Sequence, residues 1–501
     1  MKLIGLDVGT TGCKAIVFDA EGHILGHGFR EYGVVCDAPA KAEQDAEQVW
    51  SLAKEALREA SRQAGGQDAK ALSVSVQGDA IIPVDAEFKA LHPALLGMDY
   101  RSAPYAEKCA EVLGAFSLFE RTGMRPHPMN SITKVLLLRE LAPAVFERAA
   151  RIVTYSDFVL GKLSGDAAID YTMASRTMAF ELDKLGWSEN IHLALGLRST
   201  IWSKPVPSGT VVGTIRKSLA EELGLPRGLV LVTGGHDQTC AAVGAGAIRS
   251  GLGVISTGTA QVLSTALDQP RHSKEMFDSF YPCYLHAVRG KSFTFSLNHV
   301  GGILLRWWRD NFATEEVAEA SQTGTDPYEL IDQRMPKGPS PVMCLPHLNG
   351  SGTPVCDVQS KGAVIGLTLA TTRHDIAKAI LEGLTFELKL NLQTMLDCGI
   401  PIEQLVAVGG GAKSQIWLQL KADILQRPVK TLRCRETACL GAALLAGTAV
   451  GIYHSLEEAV ANAVRYDREF VPDVEHARSY SERYSTYRQI YPSVRAIHSR
   501  P

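Results

Sequence analysis

The chain opens on a short apolar block, Leu3-Ile4-Gly5-Leu6, followed by turn residues Gly9-Thr10-Thr11-Gly12 and a second apolar block, Ala15-Ile16-Val17-Phe18-Asp19. This spacing predicts strand, tight turn and strand, closing at Glu21-Gly22. From Glu43 to Ala64 the rhythm becomes helical, with Val49, Leu52, Ala53, Ala56, Leu57 and Ala60 on one face. Leu72-Ser73-Val74-Ser75-Val76 returns to a strand pattern, a helix-rich stretch is predicted from about Ala103 to Leu197, and the apolar run Leu229 to Val232 ends at Gly234-Gly235. At Gly253-Val254-Ile255-Ser256-Thr257-Gly258-Thr259 the opening pattern of strand and Gly/Thr turn begins again, about half a chain later. A helix is expected around Val300–Trp308, loops from Pro336 to Pro354, and a long helix from Arg373 to Leu396 behind a Thr372-x-x-Asp375 capping box. Strand Leu405–Val408 runs into Gly409-Gly410-Gly411, and the rest reads as helical, ending in a polar tail near Ile497.

The restart implies two related halves, each opening with a phosphate-sized turn. A chain of 501 residues also exceeds one ordinary core. The expected organisation is an α/β fold of two domains, 1–247 and 248–501, around a cleft. Lys and Arg total 51 against 54 Asp and Glu, so no basic footprint for nucleic acid or a membrane surface is visible. The N-terminus lacks the h-region of a signal peptide, and apolar stretches such as Ala438 to Ala449 are too short to span a bilayer. Ten scattered cysteines fall in no C-x-x-C spacing, which reads as reduced thiols in a cytoplasmic protein.

Four places carry candidate chemistry. Asp7-x-Gly9-Thr10-Thr11 ends a strand with a carboxylate suited to Mg²⁺ and a turn whose amides and hydroxyls suit phosphate, with Lys14 within reach. The same letters also make an ordinary hairpin. Ser256-Thr257-Gly258-Thr259 repeats the turn, with the same alternative. Gly409-Gly410-Gly411-Ala412 removes side chains between a buried strand and a helix, for a flat ligand or merely for close packing. Thr233-Gly234-Gly235-His236-Asp237-Gln238 sets a carboxylate beyond a strand end, where open sheets bind ligands. Asp237 there is either a base accepting a hydroxyl proton or the N-cap of the next helix. No G-x-x-x-x-G-K-[ST] loop exists, so a Walker-type NTPase is not a competitor.

These pieces resemble the FGGY family of carbohydrate kinases over residues 3 to about 450. Gly362-Ala363-Val364-Ile365-Gly366-Leu367 with Asp375 to Glu382 resembles the family's C-terminal signature. Lys134-Val135-Leu136-Leu137 carries the Lys of an earlier motif, with Leu137 in place of Trp, and Asp99-x-Arg101 resembles W-x-D-x-R without its Trp. Gly410-Gly411-Ala412-Lys413-Ser414 with Ala422 to Leu425 resembles the adenosine site. The resemblance implies two actin-like, ribonuclease-H-like domains with ATP and sugar in the cleft. It places Asp7 at Mg²⁺, and Thr10, Thr11, Lys14, Thr257, Gly258 and Thr259 around the phosphates. Gly302, Gly410, Gly411, Ala412 and Ser414 fall near the rest of the nucleotide, and Asp237 becomes the general base. Gln77, Gly78, Asp79, Asp99, Asp237 and Gln238 become the substrate contacts.

Two departures stand out. Gly350-Ser351-Gly352-Thr353-Pro354 lacks the charges of the family's Gly-Glu-Arg-x-Pro loop. Gln77-Gly78-Asp79-Ala80 replaces the Gln-Met-His-Gly of xylulose kinases and has only the acid of the glycerol kinases' Arg-Glu pair. The expected substrate is a ketopentose such as xylulose, with glycerol, a tetritol or a modified sugar as alternatives, and an actin-like ATPase switch binding a protein as a distant one. The expected partners are the sugar or polyol and ATP, without nucleic acid or membrane, a homodimer being left open.

Overall fold

A computed structural model describes residues 1–498 and contains two twisted sheets built to one plan. The first comprises β1 (Lys2–Val8), β2 (Gly12–Phe18), β3 (Ile24–Glu31), β4 (Ala69–Val76), β5 (Val211–Thr214) and β6 (Val230–His236) in the order β5-β6-β4-β1-β2-β3. β1 pairs antiparallel with β2 and parallel with β4, setting Asp7 opposite Lys14 on one side and Ser75 on the other. The second comprises β7 (Gly251–Thr257), β8 (Gln261–Leu267), β9 (Tyr284–Leu285), β10 (Ser292–Asn298), β11 (Ile402–Gly409), β12 (Val429–Leu432) and β13 (Tyr466–Phe470) in the order β9-β10-β8-β7-β11-β12-β13. Here β7 pairs antiparallel with β8 and parallel with β11. The repeat seen faintly in the letters is therefore a repeat of topology, hairpin plus parallel crossover.

Strands covered on both faces read as near-continuous apolar runs. In β1 the faces separate cleanly: Ile4, Leu6 and Val8 join one core, while Leu3 joins another with Ile16 and Ala71. α1 (Ala46–Ala64) closes the first of these faces with Val49, Ala53, Ala56 and Leu57. α2 (Asp237–Gly244) leaves the first sheet but buries Ala242 against Val254, Val406 and Val408 of the second. α3 (Arg373–Asp397) and α4 (Gln415–Leu425) pack on that sheet's opposite face through Leu388, Leu392 and Leu418. α5 (Thr437–Ala449) crosses back, placing Leu440 and Leu444 on Leu3, Ala71 and Val232 of the first sheet. The halves are thus interlocked by α2 and α5, whose crossing requires glycine. A Cβ on Gly441 would stand 1.9 Å from Cys240 O, and one on Gly244 2.0 Å from Thr437 O.

Local signals hold where chemistry is local. α1 starts at Ala46 behind an Asp45 N-cap, Glu43–Gln44 being a two-residue strand, and the Thr372/Asp375 capping box opens α3. Other boundaries move. β6 runs through Gly234-Gly235 to His236, and the stretch from 103 to 197 mixes helices with short strands at 151–153, 168–170, 180–181 and 186–187. The C-terminal stretch, expected as helical with a polar end near Ile497, is helix Val474–His498, which buries Tyr480, Tyr487 and Ile490. All ten cysteines are unpaired. Among the described residues no helix is long and apolar enough to cross a membrane.

Candidate active site

Two carboxylates face the cleft from the first sheet. Asp7 is oriented by Ser75, whose Oγ donates to Oδ1 at 2.7 Å. Burial pushes its carboxyl up to about 6, with Glu436 adding to the rise and Ser75 and Lys14 opposing it. Asp237 is the first residue of α2, so it stands at a strand end without serving as the N-cap, a position held by His236. Its side chain keeps 31 % of its surface open. Even so, enclosure pushes its carboxyl up to about 7, the Asp7 charge contributing, while Gln238 and Arg176 oppose. Asp237 Oδ1 has no hydrogen-bond partner; His236 Nε2 comes within 3.1 Å without meeting hydrogen-bond geometry. Burial and then Arg176 hold His236 well below the usual imidazole range, so the ring is neutral, with Nδ1 2.9 Å from Tyr284 Oη.

The first Gly/Thr turn is braced from behind. Tyr32 Oη donates to Gly9 O at 2.8 Å, Gln44 Nε2 to Thr10 O at 2.9 Å, and Gln77 Nε2 to Gly9 O at 3.3 Å. Thr11 stays exposed and Thr10 half-buried. Lys14 does not hang free: Nζ meets Glu436 Oε2 at 2.5 Å, an ion pair joining the two halves.

The second turn is held the same way, Gly301 N donating to Thr259 O and Gly302 N to Gly258 O, both at 2.7 Å. Thr257, Gly258, Thr259, Gly302, Gly410, Gly411 and Ser414 then line one cavity of about 570 Å³ together with Trp417, Tyr328 and Asp332. Ser414 caps α4 by accepting from Trp417 N and donates to Asp332 Oδ2 at 2.7 Å. A Cβ on Gly411 would lie 2.7 Å from Thr257 Cβ, so the two turns approach as closely as only glycine allows. Ala412 lies apart, beside Val408, Thr431 and Cys434.

The expected substrate contacts divide. Gln77 is buried, its Nε2 donating to Gly9 O and, at 3.1 Å, to Gln44 Oε1, which makes it a brace of the first turn. Asp99 is fully buried and its carboxylate is taken by Arg101 and by Ala42 N. The Asp99 carboxylate and Gln77 Nε2 thus already have partners inside the fold. Gln238 stays half-buried beside Asp237. Asp79, at a left-handed φ of 68°, is 2 % exposed and gripped by Arg176, with Nε at 2.9 Å and Nη2 at 2.5 Å. Gly78 makes the room: its Cβ would be 2.8 Å from His236 Nε2 and 2.9 Å from Arg176 Nε. The guanidinium missing beside Asp79 in the sequence is therefore supplied by a residue 97 positions away. Arg176 Nη1 is buried without a partner, and the aromatic walls near it, Tyr284 and Phe295, come from the second half. Arg176, Ser75, Glu436 and Lys421 carry no local sequence signal and were not identifiable beforehand.

Paired phosphate-sized turns on two repeated sheets, with carboxylates between them, define a phosphotransferase of the actin-like, ribonuclease-H-like class. Residues 2–244 match the N-terminal domain and residues 253–450 the C-terminal domain of the FGGY family of carbohydrate kinases, and the chain belongs to that family. It is 27 % identical to the gluconokinase of Bacillus subtilis over 484 residues, covering 95 % of this chain and 93 % of that one. Identity to the xylulose kinase of the same organism is also 27 %, over 499 residues, covering 99 % and 98 %. The crystal structure of ligand-bound xylulose kinase from Lactobacillus acidophilus superposes with a TM-score of 0.89 at 25 % identity, covering 99 % and 98 %. The protein is thus a carbohydrate kinase, acting on a hydroxyl group.

Proposed function

We propose that the enzyme transfers the γ-phosphoryl group of ATP to a hydroxyl of a small sugar or polyol, a ketopentose such as xylulose first among them, with Asp237 as general base. The observation that carries this reading is Asp237 itself: a carboxylate with 31 % of its side chain open, its buried Oδ1 without a hydrogen-bond partner, and its pKa raised to about 7. A base is most effective when its pKa lies near the working pH. As the substrate oxygen bonds to the γ-phosphorus and the bond to the β-phosphate oxygen breaks, the hydroxyl proton passes to Asp237 and ADP leaves. Thr10, Thr11 and Thr259 donate hydroxyl hydrogen bonds to phosphate oxygens, and Lys14 exchanges Glu436 for a phosphate.

Mg²⁺ fits this donor set. It is usually held by one or two carboxylates, with substrate phosphates and water completing the shell. The Asp7 charge raises the pKa of Asp237, a repulsion that a cation relieves. Asp7, fixed by Ser75, would hold the ion, which supplies charge neutralisation at the transferred phosphoryl group.

A xylulose kinase relative matching 99 % of the chain supports the ketopentose. A second reading, a glycerol- or tetritol-sized polyol, is favoured by the buried Asp79–Arg176 pair. A coupled assay of ADP release over ketoses, polyols, aldoses and sugar acids tests both. The highest kcat/KM is expected for a ketopentose; a sugar acid or an aldose at the top would overturn the reading.

A further inference from the structure

Lys421 is a physical anomaly near the second phosphate turn. It sits on α4 with its side chain fully buried, and its ammonium has one hydrogen bond, to Thr257 Oγ1 at 3.2 Å. The Nζ also lies 4.3 Å from the centre of the Trp417 ring. Among the described residues no carboxylate pairs with it. Asp423 on the same helix is occupied with Gln419 and Asp473 N, and Glu382 of α3 with Ser340 N and Tyr480. Lys378 of α3 answers to Glu382, Asp332 and Asp423, while Arg483 of the C-terminal helix turns to Glu382 and His476 to Asp423. Across the sheet, Lys430 of β12 meets Glu469 of β13. Burial alone, with no neighbouring charge, pushes Lys421 down to about 7. An unpaired buried ammonium is strongly unfavourable, and an apolar side chain of the same length would fill the space without that cost. Both groups it touches, Thr257 and Trp417, line the cavity that the proposed function gives to the nucleotide.

We propose that Lys421 is a positioning residue for nucleotide phosphate, acting through the hydroxyl of Thr257. The argument turns on donor and acceptor counts. A charged lysine has three hydrogens and no acceptor, whereas a threonine hydroxyl has one hydrogen and two lone pairs. With Lys421 as an ammonium, Thr257 Oγ1 accepts from Nζ and, at 3.4 Å, from Gln261 Nε2. Both lone pairs are then occupied, and the single O–H hydrogen is left to point at an oxygen in the cavity. With Lys421 as a neutral amine, the amine can accept that hydrogen, and the cavity loses a donor. Phosphate in the cavity therefore favours the ammonium twice, by its charge and by the hydroxyl it recruits. Binding of a nucleoside diphosphate takes up a proton at Lys421; adenosine, with no phosphate, does not.

The proposal rests on the cavity being a nucleotide site, and the test separates the two. Titration calorimetry of ADP and of adenosine is run at pH 7.5 in buffers of different ionisation enthalpy, on the wild type, Lys421→Met and Thr257→Val. The wild type is expected to take up a fraction of a proton on binding ADP and none at Lys421 on binding adenosine. Lys421→Met should lose that uptake and weaken ADP about tenfold or more, while binding adenosine as before and melting no lower than the wild type. Thr257→Val should weaken ADP similarly. If Lys421→Met binds ADP with unchanged affinity and proton uptake, the nucleotide site stands and the role of Lys421 is refuted. If it melts lower and weakens ADP and adenosine alike, Lys421 is structural. If wild-type protein binds neither ligand, the nucleotide reading falls and takes the proposal with it.

Discussion

Replacing Asp237 by Asn changes one charge and almost no volume, and its two consequences run in opposite directions. Loss of general-base catalysis is worth roughly 10²–10⁴-fold in kcat. Stability should move the other way. The carboxyl is raised from its ordinary 3.8 to about 7, so the folded protein binds a proton more tightly than the unfolded chain does. By linkage, stability is then highest below about pH 4, falls as pH rises through about 7, and levels off above it. At about 1.4 kcal/mol per pH unit, the ionised side chain opposes folding by on the order of 4 kcal/mol at pH 8, an upper figure for a group open to the cleft on one side. Asn removes that penalty. Asp237→Asn should therefore lose at least a hundredfold in kcat, yet melt higher than wild type at pH 8 and equally at pH 4. In the wild type, kcat should fall about tenfold per pH unit below about 7. The assays are coupled ADP release from pH 5.5 to 8.5 and thermal unfolding at both pH values. A variant that retains more than a tenth of wild-type kcat, or melts lower at pH 8, would refute the assignment; the second result is what loss of a helix cap would give.

Arg176→Met should raise the sugar KM about 10- to 100-fold with ATP KM unchanged, since a hydrogen bond to a charged group contributes about 1.5–3 kcal/mol; an unchanged sugar KM would show that Nη1 does not serve the sugar. Asp79→Ala leaves the buried guanidinium unpaired and should cost about 3–5 kcal/mol of stability. The pair Asp79→Leu with Arg176→Met should recover most of the melting temperature without recovering the sugar KM, and recovery of both would make the pair purely structural. Gly441→Val would force α5 away from Cys240 O and should destabilise by about 1–3 kcal/mol or more. Gly338→Ala, with open space around it, serves as the neutral control, and equal melting of the two variants would refute the account of the crossing.

What the sequence determined by itself was everything carried within a few residues. The two Gly/Thr turns, the glycine run after β11, the strand-end position of Asp237 and the capping box of α3 are matters of φ, hydrogen-bond spacing and apolar period, and these are local quantities. The resemblance of Gly362–Leu367 and Asp375–Glu382 then gave the family. Tertiary structure alone decided which polar groups remain free. Gln77 and Asp99 look like ligands in a line of letters, and only the fold shows that Gln77 Nε2 is engaged by Gln44 and the Asp99 carboxylate by Arg101 and Ala42 N. Asp79 seemed to lack a basic neighbour until helix Tyr171–Arg176 brought Arg176 into the space left by Gly78. Lys14 found Glu436, and Lys421 found Thr257, across 422 and 164 residues. The physical reason is the same throughout. Propensity acts along the chain, whereas desolvation and hydrogen-bond saturation depend on what the other half of the molecule places nearby.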